Sequence, residues 1–190
     1  CTHLNAGPWV FLQDVPCWGP DWGLSQDVGN RVSLHVLEDS ISLKGLTSSS
    51  LEALTYAHNN VGLAALKLDN YQKAIQHFSK ALQLSAEDTA ARYNLLITEA
   101  HIKYKKGNKD GLWDAIQKYN RASFLKPSLG DPHYYIGLSY LKLGDTDFDL
   151  ILESYEKALL LDLNPVLRTK VKSQKLQASE RKNRLKEFWN

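Results

Sequence analysis

What most constrains this chain is a set of small and aromatic residues that returns at related offsets. Gly62, Ala74, Phe78 and Ala81 make the first set. Ala115, Tyr119 and Ala122 repeat its second half, and Gly137, Tyr155 and Ala158 return further on. Between them apolar residues recur at helical spacing, as in Leu51, Leu54, Ala57, Val61, Ala65 and Leu68. A small residue on one helix lets a second helix approach closely, and an aromatic side chain fills the gap beside it. An ordinary helical bundle has no reason to repeat such pairs. The pattern predicts tandem helix–turn–helix units that share one continuous core, since a single pair cannot bury its own apolar face.

Residues 55–88 resemble a tetratricopeptide repeat (TPR), a 34-residue helix–turn–helix unit, with Gly62, Ala74, Phe78 and Ala81 in its characteristic places. Tyr71 matches the aromatic that opens the second helix, and Ala86 stands where proline is usual. The second unit, about 89–129, matches through Ala115, Tyr119, Ala122 and Pro127. Asn60 and Asn94 are 34 residues apart, so the second unit starts in register, yet Ala115 lies 41 beyond Ala74. The seven extra residues are expected as about four in a longer first helix and three in the polar turn "KGNKDG". The third unit, about 130–165, matches through His133, Ile136, Gly137, Tyr140, Gly144, Tyr155 and Ala158, with two residues inserted near "DTDFDL". The resemblance implies an all-α fold: a right-handed superhelical stack of three units within 50–164, a C-terminal capping helix over 165–190 and an irregular N-terminal extension over 1–49.

In this family the first helices line a concave groove that holds a peptide or helix of a protein partner. Carried over by position, the groove residues are Tyr56, Asn59, Leu63 and Leu66, then Tyr93, Ile97 and His101, then Tyr134, Leu138, Leu141 and Lys142. Some members clamp a chaperone's terminal carboxylate. Here Leu63 replaces the clamp asparagine, and Asp131 and Tyr135 replace its bases, so that clamp is not expected. The resemblance implies a non-catalytic interaction scaffold, with a soluble cytosolic adaptor or co-chaperone as the alternative to an assembly subunit of a membrane complex.

The N-terminal segment differs in kind. "GPWVFLQDVPCWGPDWG" has no helical period, and its prolines punctuate it as extended or turning chain. Trp9, Phe11, Trp18 and Trp22 are expected to pack, either on a partner as a docking arm or in the groove as an internal plug. Residues 31–44 read ambiguously, with a short helix favoured over a strand, and Ser49 with Glu52 reads as a capping box opening the helical part. The sequence begins at Cys1 and contains no methionine. It resembles a mature bacterial lipoprotein, which implies a lipid on Cys1, a removed signal peptide and a place on the periplasmic side of a membrane. An arbitrary boundary, or initiator removal ahead of a small residue, accounts for the same start. With Cys1 unmodified, a disulfide to Cys17 is the other outcome.

The formal net charge of +2 gives no argument for nucleic acid, although residues 165–190 hold eight bases and two acids. That basic helix reads as a solvated face, with Val166, Leu167 and Val171 covering the last unit, or as a basic amphipathic segment for anionic lipid or an acidic partner. No apolar run approaches the roughly 20 residues that span a bilayer. No catalytic residues, metal site or cofactor are expected. The six histidines lack metal-ligand spacing, and no nucleophile elbow or phosphate loop occurs. Asp145, Asp147, Asp149 and Glu156 partly match a calcium loop, but Leu150 stands where its turn glycine belongs.

Overall fold

A computed structural model describes residues 47–144 and 148–189. The docking-arm residues Trp9, Phe11, Trp18 and Trp22, the lipidation residue Cys1, the Cys1–Cys17 pair, the 31–44 segment, and Asp145 and Asp147 lie outside the described residues. Among the described residues seven α-helices follow one another: α1 Ser48–Lys67, α2 Tyr71–Leu84, α3 Thr89–Lys106, α4 Lys109–Leu125, α5 Asp131–Lys142, α6 Phe148–Leu160 and α7 Pro165–Trp189. They pair as three hairpins, α1 with α2, α3 with α4 and α5 with α6, and each hairpin packs on the next. The fold is an all-α stack of tetratricopeptide type. Among the described residues the only extended pairing is an isolated bridge between Leu129 and Asp162.

Four of the helices, α1, α2, α3 and α7, begin where a side chain accepts from a free N–H group. Asn70 accepts from the Lys73 amide at 3.2 Å, and Asp88 from the Ala91 amide at 2.6 Å. Asn164 accepts from the Val166 amide at 2.9 Å, ahead of a helix that opens on Pro165. The first cap differs from the expected Ser49–Glu52 box. Thr47 is the cap residue, its hydroxyl accepting from the Ser50 amide at 3.2 Å while its own amide donates to the Ser50 hydroxyl at 2.9 Å. Serine at that third position reaches back as glutamate would, so the helix starts earlier in the serine run.

Among the described residues each hairpin turn holds one residue in the left-handed region: Asp69 at φ 58°, Gly107 at φ 70° and Gly144 at φ 70°. Glycine takes this conformation freely, whereas an L-residue with a Cβ is strained by it. Asp69 is therefore the exception among the three.

The first helix of the second hairpin is longer, as expected, but the three residues expected in the turn are not there. The first connection is Leu68–Asn70, and the second is only Gly107–Asn108. Gly62 and Leu96 are equivalent positions; α1 ends at Lys67, but α3 runs on to Lys106. On the return, α2 starts at Tyr71, three residues before Ala74, while α4 starts at Lys109, six before Ala115. Both limbs of the second hairpin have lengthened. Gly107 caps α3 and α4 restarts two residues later, so most of "KGNKDG" is helical.

The cores follow the small–aromatic rule. Phe78 and Tyr155 are fully buried, each facing the glycine of its own hairpin. A Cβ on Gly62 would lie 2.5 Å from the Phe78 ring, and one on Gly137 2.6 Å from the Tyr155 ring. Neighbouring hairpins are also tied by polar groups. The Asn94 amide donates to Asn59 Oδ1 at 2.9 Å between the buried faces of α1 and α3. The Gly130 amide donates to the Asp162 carbonyl at 2.7 Å, and the Asp162 amide to the Ser128 carbonyl at 2.8 Å. Helix α7 closes the third hairpin through Val171 and Ala178, both buried with Tyr134, Ile151 and Tyr155. Arg168 donates to the Leu159 and Leu161 carbonyls at 2.7 and 2.9 Å, capping the end of α6.

Candidate partner-binding groove

The extra length of α3 has a local consequence. It carries Tyr104 and Lys105 beyond the point where α1 stops, alongside the first turn and Tyr71. Between them opens a pocket of about 320 Å³. Leu66 and Lys67 of α1, Asp69 and Tyr71 of the first turn and α2, His101, Tyr104 and Lys105 of α3, and Tyr135 of α5 line it. All three first helices thus contribute.

Its floor is aromatic. The Tyr119 ring stacks on Tyr135 with centroids 5.4 Å apart, and His101 meets the edge of Tyr135 at 4.5 Å. His101 Nδ1 and the Tyr119 hydroxyl are hydrogen-bonded at 2.6 Å. Burial pulls the His101 pKa down to about 4, so the imidazole is neutral at pH 7. Burial likewise raises the Tyr119 phenol, and lifts Tyr135 to about 12. The floor is uncharged across the physiological range.

Its rim is charged. The Tyr71 hydroxyl donates to Asp69 Oδ1 at 2.5 Å, and Lys105 Nζ lies 3.1 Å from Asp69 Oδ2. That hydrogen bond, followed by Lys105, holds the Asp69 carboxyl below the usual carboxylate range. Lys105 also sits 4.7 Å over the Tyr71 ring, and Lys142 sits 4.7 Å over the Tyr104 ring while donating to the Tyr104 carbonyl at 3.1 Å.

The groove residues expected from sequence divide into four groups. Leu66 and His101 line the pocket, and Lys142 lies over the ring of Tyr104, one of its lining residues. Tyr56, 69% exposed, and Asn59 line a second cavity of about 380 Å³ with Glu52, Thr55, Leu84 and Asp88. Leu63, Leu138 and Leu141 are half-buried against the hairpin cores. Tyr93, Ile97 and Tyr134 require a correction, because all three are buried. Tyr93 and Ile97 pack with Tyr119 and Ile136; Tyr134 packs with Tyr155 and Val171. They support the groove from beneath. Tyr104, Lys105 and Asp69 were missed, because they meet only when one hairpin outgrows its neighbour. The available signal was the insertion itself.

The family model for the tetratricopeptide repeat matches residues 55–88. The chain is also 28% identical over 125 residues to Superkiller protein 3 of Schizosaccharomyces pombe, covering 66% of this chain and 8% of that protein. It thus spans only a small part of that relative's length. Among solved structures it is similar to YrrB, described as a TPR protein with an unusual peptide-binding site, at TM-score 0.47 and 16% identity over 79% of this chain and 87% of that one. It is likewise similar to a MamA RS-1 double mutant, at TM-score 0.49 and 17% identity over 86% and 88% of the two chains. The described residues hold no group of three or more His, Cys, Asp or Glu placed to bind a metal, and no helix among them is long and apolar enough to cross a membrane.

Proposed function

We propose that this chain is a non-catalytic protein-interaction scaffold that holds a partner segment against the first helices of its three hairpins. The convergence of α1, α3 and α5 on one aromatic pocket carries this reading. Interfaces concentrate their binding energy in a few aromatic-lined, desolvated pockets, and this one is already formed in the chain alone. A photo-crosslinking residue at Leu63 or Leu138 should give protein adducts in the native host. One at Phe124 or Leu160, which are 83% and 85% exposed, serves as the comparison. Adducts confined to the Phe124 and Leu160 sites would sink the reading.

The narrower form is an assembly subunit of a bacterial membrane complex, tethered by lipid on Cys1. Mass spectrometry of the N-terminal peptide from natively purified protein tests it. A thioether-linked lipid mass supports the tether; an unmodified Cys1 favours a soluble adaptor.

A further inference from the structure

The pocket at the end of α3 has a chemistry of its own, which gives the scaffold reading a specific ligand and rests on that reading. We propose that it takes an aromatic side chain of a protein partner, with acidic residues on either side of that side chain.

The floor selects for an uncharged ring. Tyr71, His101, Tyr104 and Tyr135 supply ring edges and faces, and Leu66 closes one wall. The Nδ1 of His101 is engaged by Tyr119, which holds the imidazole in place. About 320 Å³ is room for one large side chain with its first contacts. An offset or edge-on ring gains beyond its buried area in such a setting.

The rim selects for negative charge. Two lysines and one aspartate line the pocket, and the aspartate is already satisfied by Tyr71 and Lys105. That leaves Lys67, which is exposed, together with Lys142 over the Tyr104 ring. Both ammonium groups can turn toward a carboxylate without leaving a buried partner unpaired. A basic flank would instead meet like charge.

The turn itself points the same way. Asp69 occupies a left-handed position where the other two hairpins have glycine. Its carboxylate fixes Tyr71 and Lys105 at the pocket's edge. Strain kept at a rim that organises a cavity marks a site held in readiness for a ligand. The site shares Tyr135 with the carboxylate-clamp positions but includes neither Leu63 nor Asp131, and it depends on the extra length of the second hairpin.

The test uses the full chain and three fluorescein-labelled peptides: Glu-Asp-Phe-Glu-Asp, Glu-Asp-Ser-Glu-Asp and Lys-Arg-Phe-Lys-Arg. Polarisation gives the affinities, and NMR of the His101 ring locates the binding. The acidic phenylalanine peptide should bind with movement of the His101 signals, about tenfold or more tighter than either of the others, a gap of about 1.4 kcal/mol. Lys67→Glu, at an exposed site, should weaken it by a similar factor with unchanged helicity by circular dichroism. Equal binding of the basic peptide at His101 would overturn the acidic preference and leave the scaffold reading standing. No binding by the acidic phenylalanine peptide, or binding that leaves the His101 signals in place, would overturn the pocket assignment. The scaffold reading falls only with the crosslinking experiment.

Discussion

His101 Nδ1 and the Tyr119 hydroxyl lie 2.6 Å apart, joining the two long limbs of the second hairpin. The bond sits where burial holds the imidazole neutral down to about pH 4. His58, 3% exposed and 3.1 Å from His77 through their Nδ1 atoms, is likewise pulled down to about 4 by burial, and His133 is lowered from the same cause.

These shifts have a definite sign. Between about pH 6.5 and 4 the unfolded chain binds protons at these histidines and the folded chain does not. Stability is therefore complete above pH 6.5 and falls as the pH drops through that window. His58 and His101 each contribute a loss on the order of 3 kcal/mol at its lower end. Thermal unfolding followed by circular dichroism should show a midpoint that declines steadily from pH 7 to 4.5. His101→Leu should flatten part of that decline while lowering the midpoint at pH 7, because the Tyr119 hydroxyl loses its partner. A pH-independent midpoint across the window would contradict the burial of these rings. The carboxylates held low by lysines, Asp114 and Asp149, act only below the ordinary carboxylate range and leave this window alone.

Gly62→Ala and Gly137→Ala should each destabilise by about 1–3 kcal/mol, the range for overpacking a closed core. The added methyl would press on a fully buried ring, Phe78 or Tyr155. Urea unfolding measures both, and the relieving double variant Gly62→Ala/Phe78→Leu should recover part of the loss. An unchanged midpoint for Gly62→Ala would mean that the hairpin packs more loosely than described.

The buried asparagines invite a double-mutant cycle. Asn94→Ala strands the Asn59 carbonyl oxygen between α1 and α3 and should cost about 1–3 kcal/mol. Replacing both asparagines by leucine should cost less than the single change, since no polar group is then left without a partner. If the double replacement proves the more damaging, the pair has a role beyond mutual satisfaction.

Asp69→Gly separates stability from site architecture. Glycine relieves the left-handed backbone, and the ion pair it removes is exposed and weakly stabilising. The melting temperature should hold or rise, while amide exchange in the last turn of α3 quickens as Lys105 loses its anchor. Gly107→Ala and Gly144→Ala share a φ of 70°, but only Gly107 is crowded, by Lys142 at 3.0 Å from an added Cβ. The Gly107 change should therefore be the costlier of the two.

How much of this was legible in the sequence depended on the range of the interaction. Gly62 with Phe78, and Gly137 with Tyr155, are partners within one hairpin, and their spacing announced both the turn and the close approach. The helix-opening Asn164 and Pro165 were legible for the same local reason. The insertion was detected and its share in the first helix foreseen, but the three residues given to the turn belong to α4 instead. Lysine, asparagine and aspartate on the outer face of a helix look like those of a loop, and only the left-handed cap at Gly107 shows how tight the turn is. The groove residues failed where position was taken for exposure. Tyr93, Ile97 and Tyr134 hold first-helix positions, but their depth is decided by the bulk of neighbouring hairpins, which no single repeat encodes. The pocket was the least legible, because Tyr71, Tyr104 and Tyr135 come from three different hairpins.

A hairpin that gains residues on both limbs at once keeps its bend tight and pushes that bend outward. The same seven residues left in the connection would have been slack, free to drift over the surface. Built as helix, they form a parapet beside the shorter first hairpin, and the depth of the hollow behind it is fixed by how far α3 overtops α1. Shortening both limbs by matching turns would lower that wall in steps and leave the stack beneath it standing.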